Sequence, residues 1–126
     1  MAQIQKAKWE RQTYVLKIDR GLPEDQQTKW HIKPLAVADT REVHDLLMSD
    51  KPASGLMKAF TRGVVGWDNL TDDGKEFPFA GRKYPQDIDG LKRPRPEEIE
   101  RIPVQWQEEI GSEIVVASEV DESEKN

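Results

Sequence analysis

The groups best suited to chemistry in this sequence are carboxylates and imidazoles, and their spacing decides what they can do. An acidic turn, Asn69-Leu70-Thr71-Asp72-Asp73-Gly74, offers oxygens at alternate positions and a glycine at the sixth, as a calcium-binding EF-hand loop begins. Such a loop needs a bidentate glutamate at its twelfth position, where this chain has Ala80. A solvated turn is therefore expected, and no metal. His31 and His44 can be drawn near Asp39, Glu42 and Asp45, but they form no i, i+4 ligand pair on a helix face. Ser49, Ser54, Ser112, Ser118 and Ser123 sit in no Gly-x-Ser-x-Gly elbow. Gly63-Val64-Val65-Gly66 lacks the Gly-Lys-Ser/Thr ending of a phosphate loop. The chain contains no cysteine, which removes thiolate nucleophiles and thiolate-bound zinc. These patterns point away from an enzyme and imply no cofactor.

Two binding chemistries remain. Arg82-Lys83 and Lys92-Arg93-Pro94-Arg95 flank Tyr84, a basic patch that could touch phosphates. The chain as a whole carries 19 basic and 24 acidic residues, a net charge of −5, which does not favour nucleic acid as the partner. Aromatic side chains are the stronger lead. Trp30, Trp67 and Trp106 each fall on an apolar face, where core packing is the ordinary role and a protein-binding surface the alternative. Trp9 has no periodic partner.

At 126 residues the chain suits one domain. Charged residues make up 34%, above the usual quarter, so a small core with a large solvated surface is expected. No run reaches the roughly 18 apolar residues of a membrane span. Residues 1–12 lack the apolar stretch of a secretory signal. A soluble, cytoplasmic chain with no membrane partner follows.

The elements that must position the aromatic groups can be traced along the chain. Residues 1–12 read as a flexible arm. Tyr14, Leu16 and Ile18 alternate with polar residues, as do Trp30 and Ile32, with Pro34 stopping the second run. Period two predicts a β-hairpin whose apolar face must pack on something. Asp39 with Glu42 reads as a capping box, opening a helix with Val43, Leu46 and Leu47 on one stripe. Ser54 is expected to cap the next helix, whose face runs Leu56, Met57, Phe60, Val64 and Trp67. Small Ala59 and Gly63 would let a neighbour approach closely. Asp73-Gly74 marks a turn, with Leu70, Phe77 and Phe79 anchoring its arms. Residues 80–96 form an extended connection. Pro96 suits a first helical turn, with Glu97 and Glu98 against the helix dipole. Pro103 opens a last helix to about Ser118, with Ile99, Ile102, Trp106, Ile110 and Ile114 on its side. Residues 119–126 read as a disordered acidic tail. The expected class is α+β: an N-terminal antiparallel β-hairpin packed on a small bundle of three to four helices with flexible termini, in a single domain over 13–118.

The stretch Gly63-Val64-Val65-Gly66-Trp67-Asp68-Asn69-Leu70-Thr71-Asp72-Asp73-Gly74-Lys75-Glu76-Phe77-Pro78-Phe79 resembles a segment of small tail-assembly proteins of tailed bacteriophages. In that family a Gly-Trp is followed by an acidic-Gly-Lys turn and a Pro-Phe pair. Tyr14-Val15-Leu16-Lys17, Asp19 to Glu24, Gln27 to Trp30 and Lys33-Pro34-Leu35 are similar to its N-terminal hairpin, and Ile102-Pro103-Val104 with Glu108-Glu109-Ile110 to its final helix. After Phe79 this chain differs, carrying the Gly/Pro-rich connection in place of a helical stretch. The resemblance implies a non-enzymatic tail assembly chaperone in the host cytoplasm, with the tape-measure and tail-tube proteins as partners, and leaves homo-oligomer formation open. A structural component of the virion is the alternative, and a small nucleic-acid-binding regulator the third. The residues expected to border a partner-binding groove are Trp67, Phe77 and Phe79 on one side and Trp106 on the other.

Overall fold

The protein is described by a computed structural model covering residues 11–123; the first ten residues of the expected arm and residues 124–126 of the expected tail lie outside the described residues. The architecture is α+β. Strand β1 (Gln12–Tyr14) pairs antiparallel with β2 (Lys29–Ile32), and β3 (Val64–Asp68) pairs antiparallel with the other edge of β2. Helices α1 (Val37–Leu47) and α2 (Pro52–Gly63) lie between β2 and β3 in the chain. A second, two-stranded ladder joins β4 (Thr71–Asp72) to β5 (Lys75–Glu76). A short helix α3 (Pro96–Ile99) and a long one, α4 (Val104–Ser123), complete the fold.

The period-two reading holds for β2, where Trp30 and Ile32 are buried and Lys29 and His31 are not. It overreaches in β1, which stops at Tyr14. Lys17–Asp19 turn into a 3-10 helix that leaves Ile18 67% exposed while Leu16 is buried. The cause is a long-range capture: the Glu109 carboxylate on α4 accepts hydrogen bonds from the Tyr14 hydroxyl (2.6 Å) and the Lys17 N–H (2.9 Å). Burial, and then that hydrogen bond, push the Tyr14 phenol up to about 12.

The two central helices form, but their expected caps do not. Helix α1 starts after Ala36, so Asp39 lies inside its first turn and pairs with Arg62 at 3.2 Å. Helix α2 starts with Pro52 in its first turn, which leaves Ser54 within the helix. That helix ends at Gly63, and Val64 to Trp67 belong to β3 instead of continuing its apolar face. Two β-branched residues bounded by glycines favour an extended chain. Pairing with β2, which sets Trp67 opposite Trp30 and Gly66 opposite His31, supplies the ladder that settles the conformation.

Trp30 is fully buried at the centre of the core. Its ring meets Phe60 at 6.0 Å, Trp67 at 5.4 Å and Trp106 at 6.5 Å between centroids. Helix α4 packs against α2 with Ile110 and Ile114 fully buried. At the close approach of these two helices, Gly111 faces the Leu56 backbone and Gly63 faces Ile114. The small Gly63 does what its size implied. Helix α4 runs to Ser123, beyond the expected end at Ser118, and so takes in residues assigned to a disordered tail. No helix among the described residues is long and apolar enough to cross a membrane.

Candidate functional site

The site is built around β3 and the hairpin that follows it. Asp73 (φ +53°) and Gly74 (φ +77°) take successive left-handed conformations, the geometry of a tight two-residue hairpin turn that Asp-Gly favours. The turn folds β5 back on β4, and the Phe77 N–H donates to the Leu70 carbonyl at 2.8 Å. Phe77 thereby stacks on Trp67, centroids 5.8 Å apart with planes 14° from parallel. The Trp67 indole N–H donates to the Phe77 carbonyl at 2.8 Å, so ring and backbone are locked together. Pro78 then carries the chain to Phe79, whose ring meets Trp67 edge-on at 4.8 Å.

Phe79 is held from behind. The Glu98 carboxylate of α3 accepts hydrogen bonds from the Ala80 and Gly81 N–H groups (3.0 Å each) and from the Arg95 N–H at 2.9 Å. Gly81 has φ +66°, and a Cβ there would stand 2.6 Å from the Phe79 ring. Only glycine satisfies both demands. Glu98 is buried and acts chiefly as this clamp, a role that its position in the first turn of α3 alone does not reveal.

These contacts border a depression of about 560 Å³. Its floor is the outer face of the sheet at Gly66 and His31, and its walls include Phe77, Phe79, Asp68 and Arg11. A side chain at Gly66 would meet His31 at 3.4 Å and Phe79 at 3.9 Å. The His31 ring lies 2.7 Å from the Asp68 carboxylate, which is 69% exposed. Among the lining residues there is no hydroxyl or thiol nucleophile beside that pair. What the surface offers is the Phe77 and Phe79 rings beside a small floor, with Arg11, Asp68 and Glu76 as charged neighbours.

The structure brings Trp67, Phe77 and Phe79 together, with Trp67 only 4% exposed and the two phenylalanines partly buried. Trp106 lies elsewhere. It lines a narrower slot of about 140 Å³ with Arg101, Pro103 and Asp72, and it is linked to Trp67 through Trp30. Leu70 and Phe77 line both hollows. From the sequence, His31 is weighed only as a metal ligand and Gly66 only within a phosphate loop, neither as the floor of a groove. The phase of β2 was the available signal, since alternation with Trp30 and Ile32 puts His31 on the outer face.

Several of the other chemistry-bearing groups are engaged within the fold. The Asn69 amide donates to the Asp25 and Gln27 carbonyls, and Asp72 pairs with Arg101. Among the described residues no three of His, Asp and Glu converge as a ligand set. In the basic patch, Arg93 donates to the Arg62 carbonyl at 2.9 Å and pairs with Asp89, and Arg95 donates to the Gly81 carbonyl at 2.7 Å. Arg62 itself pairs with Asp39 and Asp87. Burial opposes ionisation of Asp89, but Arg93, the Leu91 N–H and Lys33 offset it and hold the carboxyl well below the usual carboxylate range. Comparison with models of known families, with curated proteins and with solved structures finds no match to this chain.

Proposed function

We propose that this chain is a non-enzymatic morphogenesis protein of a tailed bacteriophage, a tail assembly chaperone whose aromatic depression holds a segment of the tape-measure or tail-tube protein. One coincidence carries the reading. The stretch that resembles phage tail-assembly proteins, Gly63 to Phe79, forms one continuous unit of strand, Asp-Gly hairpin and Phe-Pro-Phe arm, and that unit supplies most of the lining of a single hollow. Aromatic edges beside a water-exposed rim suit reversible shielding of an apolar segment, and a net charge of −5 keeps the complex in solution while the tail grows in the host cytoplasm.

Co-expression with a tape-measure protein tests the reading through the soluble fraction of that partner and its co-purification. The informative variant is Phe79→Ala, because Phe79 is partly exposed whereas Trp67 belongs to the core. Truncating such an anchor weakens binding by on the order of tenfold or more, with circular dichroism unchanged. Folded Phe77→Ala and Phe79→Ala variants that bind as well as the parent would refute the site. A chaperone is absent from purified particles, so finding the chain there by mass spectrometry would favour the virion component instead.

A further inference from the structure

Helix α1 buries Val43 against the core and leaves another face open. Val37, Arg41, His44 and Met48 recur at intervals of four, three and four, the repeat of one helical face. All four are exposed, Val37 at 58% and Met48 at 75%. Alongside runs a hollow of about 340 Å³ between α1 and α4, lined by the apolar Leu35, Val43, Leu47 and Val115 and by the polar Arg41, His44 and Asp45. Val116, next on α4, is 49% exposed. The open face is apolar at both ends and charged in the middle.

We propose that this face pairs with a second copy of the chain, α1 lying antiparallel to its counterpart about a twofold axis that passes between Glu42 and Val43. Such an axis sets position 37 opposite position 48 and position 41 opposite position 44. Val37 of each copy then covers Met48 of the other, while Arg41 comes beside His44 and Asp45 of the other. The axis that brings the apolar pair into register leaves Arg41 one position from Asp45 of the other copy, within reach of its carboxylate, and this self-complementarity of charge points to the same chain as the occupant. Arg41 and Asp45 have no ion-pair partner among the described residues, and both are free to pair across the axis. Glu42 points elsewhere, to Lys58 at 2.9 Å. A standard interface buries about 800 Å² per partner. One short helix face with the α4 valine beside it is smaller, so the pairing is weak and concentration-dependent.

Sedimentation velocity on the full chain, from dilute solution to about 1 mM, reads the association directly and needs no phage partner. The expected result is a mass that rises from monomer to dimer. Arg41→Asp and Asp45→Arg each place like charges across the axis and weaken the association at least about tenfold, while the double exchange restores it. Both positions are exposed, so circular dichroism stays unchanged. A chain that is monomeric throughout, an Arg41→Asp variant that associates like the parent, or a double exchange that fails to recover would each overturn the pairing.

Discussion

Adding one methyl group at Gly111 tests whether α2 and α4 cross as closely as their glycines imply. A Cβ at Gly111 would overlap the Leu56 carbonyl oxygen and stand 2.8 Å from its carbon and 3.2 Å from the Leu56 Cα. The obstacle is backbone and cannot rotate away, so the two helices must separate by on the order of 1 Å. That movement loosens the contacts of Ala59, Phe60, Ile110 and Ile114, all fully buried. Overpacking of this kind costs about 1–3 kcal/mol, and a backbone clash belongs at the upper end. Alanine offsets about 1 kcal/mol of it through its better helix propensity. The net loss for Gly111→Ala is about 2 kcal/mol, and at roughly 4 °C per kcal/mol the melting temperature falls by about 8 °C. Gly63→Ala meets the Cδ1 and Cγ2 methyls of Ile114, both at 2.6 Å, but no backbone, and should lose less. Gly21→Ala has nothing within 4 Å and should stay within about 0.5 kcal/mol of the parent. Thermal and urea unfolding followed by circular dichroism rank the three. If Gly111→Ala equals or exceeds the parent in stability, the close helix crossing is wrong, and with it the account of the core behind Trp30.

Arg62→Met removes the charge that Asp39 and Asp87 share while keeping much of the side-chain volume. Arg62 and Asp87 have side chains only 9% and 5% exposed, and breaking a buried pair costs about 3 kcal/mol. Adding Asp87→Asn should recover part of that loss in urea unfolding, and a single-variant loss below about 1 kcal/mol would mean that water screens the pair. Tyr14 gives the pH dependence. Its folded value of about 12 lies above the ordinary value of about 10, so the folded state holds the proton more tightly. The stability this contributes is whole below about pH 10 and is lost as pH rises through the folded value near 12. Glu109→Gln should lower the phenolate absorbance midpoint from about 12 only part of the way, since burial remains the first cause, and an unmoved midpoint would exclude Glu109 as a cause.

Local chemistry was legible in the sequence where it acts over a few residues. The alternation around Trp30, the Asp73-Gly74 turn and the Pro96 helix start each depend on near neighbours, and each is where it was expected. What escaped depends on partners far along the chain. Val64 and Trp67 continue the helical spacing of Phe60, so periodicity alone extends α2, and only pairing with β2 makes a strand of them. Asp39 has the chemistry of a cap, but Arg62 recruits it from the next helix. Ile18 fits the hairpin pattern, yet Glu109 ends that strand early from the far side of the domain. The site follows the same division. Trp67, Phe77 and Phe79 converge because one short hairpin joins them, while Trp106 arrives on α4 and enters a different hollow.

The groups that hold Phe79 follow it in the chain, in Ala80, Gly81 and Glu98. Between them the connection is pinned by the paired backbones of Arg82 and Arg93 and by the ion pairs of Asp87 and Asp89. The stretch that the sequence marks as an extended connection is thus tied down at several points, and its arginines serve the fold before any phosphate. The wall of the depression and the brace behind it are separate pieces of sequence. In this chain the brace is a clamped loop, and Phe79 keeps its place because the buried Glu98 carboxylate receives the two N–H groups behind it.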